Sequence, residues 1–262
     1  MSLPWEADNL VAARSENIDR YKRNFLRQAV CELRFPTLME LGGDRPPTSF
    51  ANELRKEYPN LEMANELTLG IGTHSTGTSH SHLFRSPKLN WTVSLKQSAF
   101  SIETTTYTDF AQMKQRILRV VDAASKIIDS DFFTRIGLRY INSVDRGENP
   151  ADGWINPDLV GPLLSGKFSG IKDYASKLEL ASPDGGCLLQ HGIRLKAKQV
   201  DEAVPPEYFL DIDVFRSEVE LSNTEAALDA IHSQAFDIFD WAIGAKARDY
   251  LSADKQPAKV ER

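Results

Sequence analysis

The stretch WTVSLKQSAFSIETTTY, residues 91–107, decides the fold class. It is rich in β-branched and aromatic residues, and Trp91, Val93 and Leu95, then Phe100 and Ile102, alternate with polar neighbours. A period of two places such residues on one face of a strand, and the KQSA between the two runs supplies a turn, so the spacing predicts a β-hairpin. The grammar then changes. Asp109 stands three residues before Gln112, a helix-capping arrangement, and Met113, Ile117, Val120, Val121, Ala124, Ile127 and Ile128 make one long apolar stripe. A helix with a single stripe must bury it against another layer, and the sheet beside it is the surface at hand.

The same order recurs downstream. FFTRIGLRYINSV (132–144) reads as a strand, and YASKLELAS, PDGG and CLLQHGIRLKAK read as a second hairpin. YFLDIDVF continues as a strand. Ser222 and Glu225 then form a capping-box pattern, and Leu228, Ile231, Ala235, Ile238, Phe239, Ala242 and Ile243 stripe a helix running to about Leu251. Upstream, RQAVCELRF (27–35) alternates as a strand, and TSFANELRKEY forms a short helix stopped by Pro59. The expected class is α+β: a largely antiparallel sheet, or sheets, with long amphipathic helices packed on one face and the hairpin-then-helix order occurring twice. One domain spans 1–262, divisible into a half over 27–144, a loop-rich excursion over 145–170, a second half over 171–251 and a polar tail over 252–262.

Composition narrows the classes. At 262 residues the chain can bury a substantial core without staples, and its two cysteines, Cys31 and Cys187, lie in apolar strand runs as reduced thiols. A net charge of −6 argues against a general nucleic-acid binder. No apolar run reaches membrane-spanning length and the N-terminus lacks the apolar core of a secretion signal, so a cytoplasmic location and no membrane association are expected. Trp5 and Trp154 stand in polar, loop-like surroundings and are candidates for contact with a partner.

AVCELRF near the N-terminus, RIGLRYIN (135–142) and LDIDVF (210–215) carry a resemblance. They are similar to three segments of a sporadically distributed, uncharacterised family of bacterial and archaeal proteins whose N-terminal signature reads A-V-x-E-I-R-F. The resemblance spans about Leu26 to Leu251 and implies no activity, cofactor or catalytic residue. The family's patchy distribution implies an accessory role, in phage defence or a toxin–antitoxin partnership. The matching charged and polar residues include Glu32, Arg34, Arg139, Asn142 and Asp213, expected to form one network. Leu33 departs from the signature's isoleucine.

Two constellations could carry chemistry. Asp211 and Asp213 alternate onto one strand face and, with Glu32 or Glu179 and the nearby Lys177, could hold a divalent ion for a hydrolase or nuclease. The alternative is that these carboxylates face Arg34, Arg139 and Arg194 across strands on the wet side of the sheet, which is favoured because no spacing here is diagnostic. In GTHSTGTSHSHLFRSP (72–87), His80 and His82 share a strand face and His74 could join them on a metal, but the Ser, Thr and Gly threading reads as a polar loop entering a strand. His232 reads as a core-rim histidine. No cofactor is expected. The expected function is binding or self-association, as a homo-oligomer with a protein partner encoded nearby, in a regulatory, sensor or neutralising role.

Overall fold

The apolar alternation of the central segments is satisfied by pairing them with one another. In the computed structural model, which describes residues 5–68, 77–145, 149, 151–171, 173–194 and 207–254, nine strands make one antiparallel sheet. They are β1 (Leu26–Arg34), β2 (Asn60–Thr68), β3 (Gly77–Arg85), β4 (Trp91–Leu95), β5 (Ala99–Thr104), β6 (Phe132–Val144), β7 (Tyr174–Ser182), β8 (Gly185–Arg194) and β9 (Glu207–Glu220). Among the described residues the α-helices are α1 (Thr48–Leu54), α2 (Phe110–Ser125), α3 (Gly161–Leu164), α4 (Thr224–Ala242) and α5 (Ala245–Ser252). The strand order β2-β3-β4-β5-β1-β6-β9-β8-β7 joins β6 to β9, so both halves of the sequence contribute to one sheet. Among the described residues no helix is long and apolar enough to cross a membrane.

Register shows why period two was so informative. Cys31, Leu138, Val214 and Cys187 lie in one row across β1, β6, β9 and β8, all buried. In the next row on the other face, Val30, Arg139, Asp213 and Leu188 are partners. Both cysteines are free, and three strand spacings of roughly 4.8 Å separate them, too far for a bridge. Helix α4 lies across β9 and β6, α2 lies beside α4, and α1 beside α2. Asp109 caps α2, accepting from Gln112 N at 2.8 Å.

Of the segment 72–87 the strand is described: β3 begins at Gly77 and pairs along its length with β2, an edge strand the periodicity did not reveal, and residues 72–76 lie outside the described residues. Two local expectations need correction. The closing helix does not run unbroken to Leu251. It stops at Ala242 because Gly244 N donates to Trp154 O at 2.8 Å and a Cβ at 244 would collide with the backbone oxygen of Gly153, so the 145–170 excursion docks at the break. Nor do Ser222 and Glu225 cap α4: the Ser222 hydroxyl turns to Glu220, and the helix begins after a 3-10 turn, Leu221–Asn223.

Residues 5–24 contain one short 3-10 turn and no strand or longer helix, yet they form an ordered strap over α4. Gln234, Asp237 and Asp240, spaced three apart along one face of α4, each hold it: Gln234 donates to Ala7 O, Asp237 accepts from Ser15 N, and Asp240 accepts from Ser15 Oγ and Tyr21 Oη. Arg216, fully buried, reaches Asp8 at 2.5 Å and Gln234 at 3.1 Å.

Burial also sets a pH response. His191 and His82 are buried, and desolvation holds both below the ordinary histidine range; His191 Nδ1 lies 2.7 Å from Tyr208 Oη. A folded-state pKa below the unfolded value near 6.5 means that the unfolded chain binds protons first as pH falls. Stability is therefore expected to be complete above about pH 7 and to decline as pH drops below about 6.5. Thermal melts at stepped pH check this, and His191→Gln should flatten the slope.

Candidate functional site

Two polar constellations lie on opposite faces of the sheet. The outer one contains most of the carboxylates singled out by the sequence. Asp211 forms a two-pronged pair with Arg139, at 2.7 and 2.5 Å. Asp213 takes Arg135 at 2.9 and 3.0 Å, not Arg139. Glu32 accepts from Arg34 at 2.7 Å and lies 3.7 Å from Arg135. Arg135 can span Asp213 and Glu32 because Gly137 leaves room: a Cβ there would collide with the guanidinium, which also covers the Phe215 ring at 4.7 Å from its centroid. Burial lifts the Asp213 carboxyl above its usual range against the pull of Arg135. Arg135, Gly137 and Phe215 were missed by sequence reasoning, although all three lie within or beside the quoted segments.

The other sequence candidates lie elsewhere. Glu179 is two strands from Asp213, with Leu188 between them in register, hence about 10 Å away, and it pairs with Lys177 at 2.7 Å. Asn142 does not belong to the charged network. The period of two turns it to the face opposite Arg139, where it is buried and its amide lies 3.4 Å from Leu210 O. His80 and His82 lie on β3, and His74 falls outside the described residues. Among the described residues no group of three or more His, Cys, Asp or Glu is placed to hold a metal. Trp5 and Trp154 are engaged within the chain, the first beneath Arg216 and the second against Phe25 and Tyr250. Their loop-like sequence context concealed those contacts.

The inner constellation is a cleft of about 190 Å³ between the strap, the entry to α2, β6 and α4. Its floor is a hydrogen-bonded chain. Asp19 Oδ1 lies 3.3 Å from His232 Nε2, and His232 Nδ1 lies 2.9 Å from Tyr140 Oη, whose phenol interacts in turn with that of Tyr107. Phe110 stacks on the imidazole with 3.7 Å between centroids. The His232 bond draws the Asp19 carboxyl below its usual range, so Asp19 accepts and Nε2 carries the proton. In a neutral imidazole with that proton on Nε2, Nδ1 is an acceptor for the Tyr140 O–H. Lys22, Arg23 and Asn142 add polar wall, and Phe236 and Phe239 add apolar wall. Asp19 holds a left-handed φ of 56°, a conformation that aspartate tolerates better than most residues.

Sequence reasoning left His232 at the core rim and did not connect it to Asp19, more than 200 residues away. One signal was available. Tyr140 and Asn142 place two polar groups on the buried face of a strand, and buried polar groups demand partners.

Fold and cleft together define an α+β protein of one antiparallel sheet with a polar, strap-walled cavity. Comparison with protein-family models, with curated proteins and with solved structures returned no match.

Proposed function

We propose that this protein works by binding, that its cleft reads a small polar ligand, and that the chain self-associates along an open sheet edge. On this reading the helices form one layer over a single face, with the hairpin-then-helix order in each half, and the charged face stays open. The observation that carries the proposal is the chain Asp19–His232–Tyr140–Tyr107 along the cleft: converging, pre-oriented polar groups against apolar walls are what ligand recognition requires. Turnover has less support. Burial pushes the Tyr107, Tyr140 and Cys31 groups up, and Cys187 to about 11, so the nucleophile types in the interior stay protonated. The outer carboxylates are already occupied by guanidinium groups, which disfavours the ion-dependent hydrolase reading.

The family resemblance supplies the setting: a regulatory, sensor or neutralising component of an accessory phage-defence or toxin–antitoxin system, cytoplasmic, with a partner encoded nearby. Thermal melts against nucleotides, amino acids and sugar phosphates test the cleft. At least one class is expected to raise the melting temperature. Tyr140→Phe should weaken its binding about tenfold, the equivalent of about 1.4 kcal/mol. A ligand that binds wild type and Tyr140→Phe alike would remove the cleft from the proposal, as would a panel without effect.

A further inference from the structure

We propose that two copies of this chain join through β7, antiparallel about a twofold axis at Leu178, so that two sheets become one. The inference rests on the self-association half of the reading above and is independent of the cleft. Among the described residues no strand lies beyond β7, which pairs with β8 on one side alone. Its outward backbone donors and acceptors form a ready template for another strand. YASKLELAS contains no proline, and its one lysine and one glutamate are of opposite sign, so they oppose pairing with a second copy less than a run of like charge would.

The sequence of β7 is self-complementary. With Leu178 opposite itself in an antiparallel ladder, Lys177 meets the partner's Glu179 and Glu179 meets the partner's Lys177, side chains about 5 Å apart at Cβ. Within one chain these two residues already pair at 2.7 Å, yet 58% and 64% of their side chains stay exposed. An exposed pair of that kind contributes little and is free to re-form across an interface. The same register sets Ser176 against Leu180 and Ala175 against Ala181, with no like charges opposed. Leu178 itself is 45% exposed, unusual for a leucine in a strand, and the axis covers it with its counterpart. It also lines an apolar groove with Leu180, Leu189, Ile238 and Trp241, so pairing would bring two such grooves edge to edge.

The other edge lacks this property. β2 reads NLEMANELT, with Glu62 and Glu66 and no lysine or arginine, and a strand of one charge sign repels its own copy. A twofold contact also closes on itself and does not propagate into fibres.

Light scattering and sedimentation on the full chain test the interface through charge reversal. Wild type is expected as a dimer of the 29.4 kDa chain. Lys177→Glu and Glu179→Lys each oppose like charges at two places, and each should weaken the dimer at least about tenfold. The combined reversal should restore it, and an equimolar mixture of the two single variants should form the mixed dimer. Both positions are exposed, so circular dichroism should match wild type, and the melting temperatures should converge at dilutions where wild type is itself monomeric. A monomeric wild type at high micromolar concentration would overturn self-association as a whole. A dimer indifferent to the single reversals would overturn β7 alone and place the contact elsewhere.

Discussion

Arg216→Ala is expected to lower the unfolding free energy by about 3–5 kcal/mol, read from the shift of a urea midpoint at unchanged slope. The guanidinium is fully buried, and three elements depend on it. It donates to Phe215 O at 2.9 Å, reaches Asp8 at 2.5 Å and Gln234 at 3.1 Å, and lies over the Trp5 ring. Alanine would empty the site, remove a partner from the Gln234 carbonyl and withdraw the charge that holds Asp8. Asp8 is only about a third exposed, so water compensates in part, which places the loss near the lower end of that range. The strap should respond before the sheet does. Trp5 and Asp8 meet Arg216 directly and Ala7 O is held by its partner Gln234, so limited proteolysis within 5–24 should quicken in the variant under native conditions. Arg216→Lys keeps the charge and loses the fork, and an intermediate cost is expected. A loss below about 1 kcal/mol with unchanged proteolysis would show that the strap does not depend on this residue.

The strap also marks where the sequence stopped being legible. Strands such as β1, β5 and β9 announce themselves because one face is buried and the other wetter, and that asymmetry is written locally, every second residue. Residues 5–24 have no such period. Their order comes from single hydrogen bonds to α4 more than 200 positions away, such as Ser15 to Asp237, and nothing local records a partner that distant. β2 was missed for a different reason. As an edge strand it leaves Leu61 and Met63 about half exposed, so the apolar alternation has little burial behind it. The outer face was legible as to charge but not as to pairing. Asp213 and Arg139 are direct cross-strand partners, yet Asp213 takes Arg135, because the empty position at Gly137 lets that longer reach succeed. The cleft was partly in view, since Tyr140 and Asn142 stood on a buried face. Only the fold brings Asp19 and His232 to them.

Arg135→Leu is expected to cost about 2–4 kcal/mol, and most of that cost should come from the carboxylate it leaves behind. Asp213 has 26% of its side chain exposed, so water reaches it poorly, and the neighbouring Arg139 is already committed to Asp211 in a two-pronged pair. Neutralising the stranded charge should therefore recover stability. Asp213→Asn, destabilising by itself because it breaks a charge-assisted pair, is expected to be neutral or stabilising in the Arg135→Leu background, giving a coupling of about 1–3 kcal/mol in the double-mutant cycle. The sign of the pH dependence follows from the same charge. Burial already raises the Asp213 carboxyl, and losing Arg135 raises it further, so the native state of the single variant binds its proton before the unfolded chain does. The deficit of Arg135→Leu should shrink as pH falls through the raised folded-state value, and persist above it. Divalent ions separate this account from an ion site. With both aspartates held by guanidinium groups, Mg²⁺, Mn²⁺ and Zn²⁺ should leave the wild-type melting temperature unchanged, since an ion would have to displace an arginine before it gained a ligand. A wild-type melting temperature that rises with any of these ions, and loses the gain in Asp213→Asn, would mean that the carboxylates grip a metal and that the pairing with Arg135 yields to it.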